Sequence, residues 1–435
     1  MKLIKNVSMA SGKTFKTVNI LFDESIELVS TGIITADNIT DEYDYSGCIV
    51  IPGAVDMHTH IFRGIPDDAQ ALKKSSQNAV SGGYTTLADM PYHTKKPIFR
   101  SKAIDYYTSI IEESSFCDIA LWGHNDFSQF PYHIDYINEI WAAGLVGFIM
   151  MHPSPNDKIE NMTYADIMDL FDTIYDTDIS FAFQGYDYID VSVNENIKEK
   201  FIEQRLVSIR KILRRMQDNP IHYIGIYDKE SIDILNIAFR RSDLTYAVPA
   251  YELIKIMLKF KETGYTKDNP FSEYVKLLFD SMKNGKLYTI STEAGAELNS
   301  ENPTMNVAYT GYSENLLKWT VPWVFSELWK NNRVPIQSCI RMVSENPAKR
   351  LGLFPQKGSI GKGSHADIVI IDPNIPTDTD LTDLNGGKIQ LSCSVKATFL
   401  RGNLLTPIKS KNKPQGQFIK RTGTTRRKSS STCWT

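Results

Sequence analysis

Ile51-Pro52-Gly53-Ala54-Val55-Asp56-Met57-His58-Thr59-His60 is the stretch whose reading decides the fold. Residues two apart on a β-strand point to the same side. On a strand through this stretch, Asp56, His58 and His60 therefore share one face. Two imidazoles placed this way can converge on one divalent ion, as a metal-binding pair must. Whether metal chemistry follows depends on what the rest of the chain supplies.

Upstream, residues 1–49 read as short strands, such as Thr17–Phe22 and Ser25–Val29, separated by polar turns. From about residue 50 the texture changes. Strand-like segments at Tyr84–Met90, Ile119–Gly123 and Val146–Met151 alternate with helical ones at Lys102–Glu113, Tyr136–Ala143 and Tyr164–Tyr175. Further strands are expected at Ile179–Phe183, Ile221–Tyr227, Thr245–Val248 and Lys286–Ser291. With the strand that ends at His58, eight is a natural count, and alternation on this scale predicts a parallel α/β fold. After Leu353 the chain returns to β texture in Ala366–Ile371 and Val395–Leu400, so the two ends are expected to pack together.

Composition bounds the alternatives. The chain has 435 residues, enough for one large core and a smaller satellite domain. Its 48 Lys and Arg nearly balance its 51 Asp and Glu, so bulk charge gives no reason to expect a nucleic-acid or membrane partner. No apolar run approaches the roughly 20 residues of a membrane span, and Met1–Lys13 lacks an apolar stretch of signal-peptide length. Five scattered cysteines (Cys48, Cys117, Cys339, Cys393 and Cys433) read as reduced thiols of a cytoplasmic protein. From Lys409 onward there are eight Lys or Arg and no acidic residue, a composition expected to stay disordered.

Several motifs in order resemble the cyclic amidohydrolases of the amidohydrolase superfamily: allantoinase, dihydropyrimidinase (hydantoinase) and dihydroorotase. Asp44–Gly53 is similar to their lead-in to the first barrel strand, and Ser81–Pro91 to their second-strand signature. Asp118–Gly123 with Gly144–Phe148 leans toward allantoinase. Asn346-Pro347-Ala348-Lys349-Arg350-Leu351-Gly352-Leu353 and Lys357–Ile368 resemble two further hallmarks. The resemblance implies a (β/α)₈ TIM-like barrel at 50–353. A small β-sandwich would be built from residues 1–49 and 354–408, with a tail at 409–435.

The resemblance also implies a binuclear centre, usually zinc, whose bridging hydroxide attacks a ring amide. An HxH pair, a carboxylated lysine, two more histidines and an aspartate hold it in the family. The pair is present as His58 and His60. The lysine position is Ile149, whose alkyl side chain cannot form a carbamate. Phe181–Gly185 contains no strand-five histidine, Gly225 stands at the strand-six ligand position after a non-ligand His222, and Thr292 replaces the aspartate. Two imidazoles without a bridge cannot hold a binuclear centre, and even mononuclear catalytic zinc takes three protein ligands.

Replacement ligands are sought at His124, His152 and Glu293, with His93 after the second strand, all at the rim where barrel enzymes place their sites. One divalent metal, zinc or manganese, at His58 and His60 is then conceivable. Asp56 reads either as a carboxylate orienting an imidazole or as a buried structural group. Arg63 reads as a substrate-carboxylate contact or as a plain surface arginine. Tyr92, His93 and Thr94 replace a ligand-contacting segment of allantoinases, so allantoin specificity does not carry over.

Two functions follow as expectations. One is a non-catalytic relative, a pseudoenzyme retained for assembly, sensing or regulation, as a homo-oligomer or in a hetero-oligomer with an active relative. The other is a divergent metal-dependent hydrolase of C–N bonds in a small cyclic amide or ureide. A binding role for the basic tail has little support.

Overall fold

The computed structural model describes residues 1–64, 67–92, 94–154, 156–185, 197–215, 218–240, 242–267, 269–295, 315–382, 386–408 and 412–427. Eight parallel strands form its centre: Ala54–Thr59, Tyr84–Asp89, Asp118–Leu121, Phe148–His152, Phe181–Gly185, Ile221–Tyr223, Leu244–Pro249 and Thr289–Ser291. Covered by helices outside and packed side chains inside, nearly every strand residue is buried. A bridge between Gly123 and Phe148 joins the third strand to the fourth. The ring closes where Glu293 N donates to His58 O (3.0 Å) and His60 N donates to Ala294 O (2.7 Å). Gly295 makes that closure possible. It sits at φ +87°, and a Cβ there would lie 2.4 Å from the His60 carbonyl oxygen.

Both chain ends build a separate sheet in the order 403–404, 394–400, 368–372, 49–52, 2–11, 14–22, 26–30, with Asp41–Asp44 also pairing with Lys2–Ser11. The eight strands are joined in one hydrogen-bonded sheet. Ile368–Asp372 runs antiparallel to Ile49–Pro52, with Ile370 opposite Val50. Alternation divides the work: Val50, Ile368 and Ile370 enter the sheet's own core, whereas Ile49, Ile51, Val369 and Ile371 enter the barrel core. The expected domain boundary at 49/50 therefore shifts to Gly53, because Ile49–Pro52 pairs within the sheet before the chain turns into the barrel.

A buried ion network fastens the two units. Lys357 Nζ lies 2.5 Å from both Asp118, at the start of the third barrel strand, and Asp367, beside the sheet strand Ile368–Asp372. Arg401 also pairs with Asp118. All three members of the Lys357 triad are buried.

The tail departs from expectation. Asn412–Arg427 is not a free segment but a strap across the N-terminal end of the barrel. Ile119 N donates to Gln417 O (2.9 Å) and Ile419 N to Ile119 O (2.8 Å), continuing the third strand's hydrogen bonding. Further along, Arg421 N donates to Gly144 O, Arg426 reaches Tyr175 O, Thr177 O and Asp218, and Arg427 N donates to Asp243. Arg421 stacks on Trp141 and Arg427 on Phe239, each 3.7 Å from the ring centroid. Composition alone predicts disorder, but these arginines find carbonyls and carboxylates exposed at the ends of successive strands. Lys409 to Lys411 and the residues from Lys428 onward, including Cys433, lie outside the described residues. The other four cysteines are buried free thiols.

Candidate functional site

His58 and His60 stand at the C-terminal end of the first barrel strand, fully buried, with their Nε2 atoms 2.6 Å apart. His60 Nδ1 lies 2.8 Å from Met90 O. A carbonyl only accepts, so Nδ1 carries a proton and the neutral ring presents its Nε2 lone pair to His58. His58 must then donate from Nε2. That leaves its Nδ1 facing Glu293 Oε1 at 3.5 Å, and neither atom makes a hydrogen bond among the described residues. One added cation would satisfy the cluster: a second proton on His58, or a metal ion between the two Nε2 atoms.

A tetrahedral zinc with bonds of about 2.0–2.1 Å spaces two ligand nitrogens about 3.3 Å apart. The imidazoles would therefore have to separate by about 0.7 Å to chelate one ion. Glu293 faces the Nδ1 edge of His58, on the side away from that ion position. Its backbone is also unusual: Glu293 adopts φ +54°, a left-handed conformation that a non-glycine residue rarely holds outside functional or tightly determined sites.

Ile149 lies on the fourth barrel strand, and Gly225 and Thr292 follow the sixth and eighth. Ile149 is buried on the fourth strand, paired with Ala182 of the fifth. Thr292 follows the eighth strand; its amide donates to Asp56 and its hydroxyl accepts from Ala294 N. Gly225, at φ +68°, has Gln184 Nε2 3.2 Å from where its Cβ would be. The carboxamide of the fifth strand thus leans into space that a strand-six ligand would need. An alkyl group, a hydroxyl and a carboxamide do not form the carboxylate-rich bridge of a binuclear centre. The residues present do not fit that group.

The other candidates separate on geometry. Asp56 accepts the backbone amides of His58 and Thr292, 3.1 Å each, and so stitches the first strand to the end of the eighth. Burial pushes its carboxyl up to about 6. Arg63 donates to Gly295 O (3.0 Å), tying the loops that follow the first and eighth strands. His124 Nδ1 accepts from Ile98 N (3.0 Å), and burial pushes its pKa down to about 3. The neutral ring consequently carries its proton on Nε2, which has no lone pair to offer a metal. His152 packs edge-on to Tyr164, 4.8 Å between centroids, at the start of the helix Tyr164–Ile174. Glu293 reaches the cluster from the Nδ1 side of His58. His93 lies outside the described residues.

Sequence reasoning passed over Gln184 and gave His222 no role beyond a motif match. Gln184 follows an apolar run, and nothing local marks it as facing Gly225. His222 is completely buried, with Nδ1 2.8 Å from Thr245 Oγ1 and Nε2 without a hydrogen bond among the described residues. Among the described residues, the one group of three side chains spaced to hold a metal is Asp118, His365 and Asp367. The Lys357 ammonium already bonds both carboxylates there, so a resident cation of the protein itself fills that role.

The model of the amidohydrolase family matches residues 278–405. The dihydroorotase of Thermoanaerobacter sp. (strain X514) is 26% identical over 391 residues, covering 85% of this chain and 88% of its own length. The L-hydantoinase of Paenarthrobacter aurescens is 22% identical over 417 residues, covering 87% of each. Among solved structures, the L-hydantoinase (dihydropyrimidinase) from Arthrobacter aurescens superposes with a TM-score of 0.80 at 20% identity, covering 97% of this chain and 99% of that one. Dihydropyrimidinase from Brevibacillus agri gives 0.77 at 16% identity, over 98% and 99%. Strand order, the HxH pair and these similarities along most of the chain agree in supporting a cyclic amidohydrolase of the amidohydrolase superfamily as what this chain is most similar to.

Proposed function

We propose that this chain is a hydantoinase- and dihydroorotase-like homologue with a degenerate metal centre, which does not act as a conventional binuclear-zinc hydrolase. The observation that carries the reading is the donor set: Ile149, Gly225 and Thr292 stand at three ligand positions, and Gln184 leans over Gly225. Its role would then be structural or regulatory in the cytoplasm, as a homo-oligomer or alongside an active relative. The intact barrel, sheet domain and strap support such a role, because they preserve surfaces without requiring chemistry.

A second reading is favoured by one observation. His58 and His60 converge, with the two Nε2 atoms 2.6 Å apart, so a single zinc or manganese between them would support a divergent hydrolase of cyclic amides or ureides. Elemental analysis of untagged protein purified without chelator, beside a His58→Ala/His60→Ala variant, separates the two. Protein that stays metal-free when zinc and manganese are supplied is expected from the first reading. One stoichiometric metal, lost in the variant, would overturn it and establish the second.

A further inference from the structure

The geometry points to Arg350 and Thr245 as positioning residues that fix His222 with its proton on Nε2, so that the barrel interior presents an N–H donor to an oxygen acceptor of a bound ligand. This rests on the reading that His58 and His60 mark a ligand site, but its test does not involve a metal.

Arg350 is 1% exposed, and each of its five N–H groups has an acceptor. Nε donates to Thr245 Oγ1 (2.9 Å), Nη1 to Asp243 Oδ1 and Thr425 O (3.1 Å each), and Nη2 to Ile221 O (3.1 Å) and Asp243 O (3.0 Å). A guanidinium with every donor engaged has one orientation available. The strap helps hold it: Thr425 supplies one acceptor, and Arg427 N donates to the same Asp243 carboxylate.

Because guanidinium only donates, Thr245 Oγ1 must accept from it. A hydroxyl that accepts from a cation becomes a stronger donor, so its own hydrogen is directed to His222 Nδ1, 2.8 Å away. Nδ1 is then an acceptor, and the neutral ring keeps its single proton on Nε2. Burial first, then Arg350 and the neighbouring His58, hold the His222 pKa far below the ordinary histidine range, which keeps the ring neutral. Nε2–H is buried and has no partner among the described residues, so it is available to a carbonyl or carboxylate oxygen. By the same token, Nε2 has no lone pair to act as a third metal ligand beside His58 and His60.

The test uses full-length protein with ¹⁵N-labelled histidine, freed of metal, and reads tautomers from long-range ¹H–¹⁵N correlations. His222→Gln assigns the signal. Wild type is expected to show His222 as the Nε2–H form from pH 6 to 8. Thr245→Ser, which keeps the hydroxyl, should retain it, and Thr245→Val should lose it to a mixture or to the Nδ1–H form. A wild-type signal from the Nδ1–H tautomer or the imidazolium would overturn the inference. So would a folded Thr245→Val protein with an unchanged His222 signal. Metal content has no bearing on these outcomes, so a failure here leaves the proposed function standing, and the reverse also holds.

Discussion

Replacing Lys357 with methionine tests whether one ammonium fastens the sheet domain to the barrel. The substitution keeps much of the side-chain volume and removes the charge between Asp118 and Asp367, both 2.5 Å from Nζ. Arg401 continues to pair with Asp118, but Asp367 loses its ammonium partner in a buried setting. Breaking a buried pair by deleting one member costs about 3–5 kcal/mol. Burial alone would raise the Asp118 carboxyl, yet Lys357 and Arg401 outweigh it and hold the pKa below its ordinary value. Burial alone would lower Lys357, and the two carboxylates outweigh that and raise it. The sign follows from linkage. A lowered carboxylate contributes stability above its unfolded pKa of about 3.9 and loses it as pH falls through the folded value. A raised lysine contributes below its unfolded pKa of about 10.4 and loses it as pH rises through the folded value. The difference between wild type and Lys357→Met in urea unfolding should therefore be flat from about pH 5 to 9 and shrink on the acid side. A loss under about 1 kcal/mol at pH 7, or one that grows as pH falls below 4, would refute the reasoning.

Other consequences can be checked separately. Arg427→Ala removes two side-chain hydrogen bonds and a cation–π contact at the barrel base, and should cost about 2 kcal/mol in chemical denaturation; an unchanged midpoint would mean that the strap is not held there. Glu293→Gly relieves a left-handed non-glycine backbone and deletes a buried carboxylate oxygen without a partner, so it should raise the melting temperature, whereas a fall would show that Glu293 stabilises the loop. Ile149→Lys/Gln184→His/Thr292→Asp restores donors around His58 and His60 and should increase bound zinc per chain, measured by elemental analysis. Content equal to wild type would show that more than these side chains was lost.

The sequence alone determined the architecture. Strand and helix periods follow from burial, and burial repeats along the chain in a way that local composition records. Tyr84–Asp89, Leu244–Pro249 and the other barrel strands accordingly fall close to where apolar runs place them. The same holds for His58 and His60, whose shared face follows from the two-residue repeat of a strand. What only the tertiary structure decided concerns partners distant in sequence. Nothing local in the sequence shows that an amide from Ile98 donates to the His124 ring or that the Tyr164 ring packs against His152. The basic tail reads as disordered because its cations have no local partners; Asp218, Asp243 and the carbonyl of Thr177 appear beside it only once the barrel has formed. Arg350 likewise reaches Ile221, Asp243, Thr245 and Thr425 across more than seventy residues of chain in each case. Hydrogen bonds and ion pairs depend on distance and direction in space, and the order of residues along the chain does not contain those for groups brought together by folding.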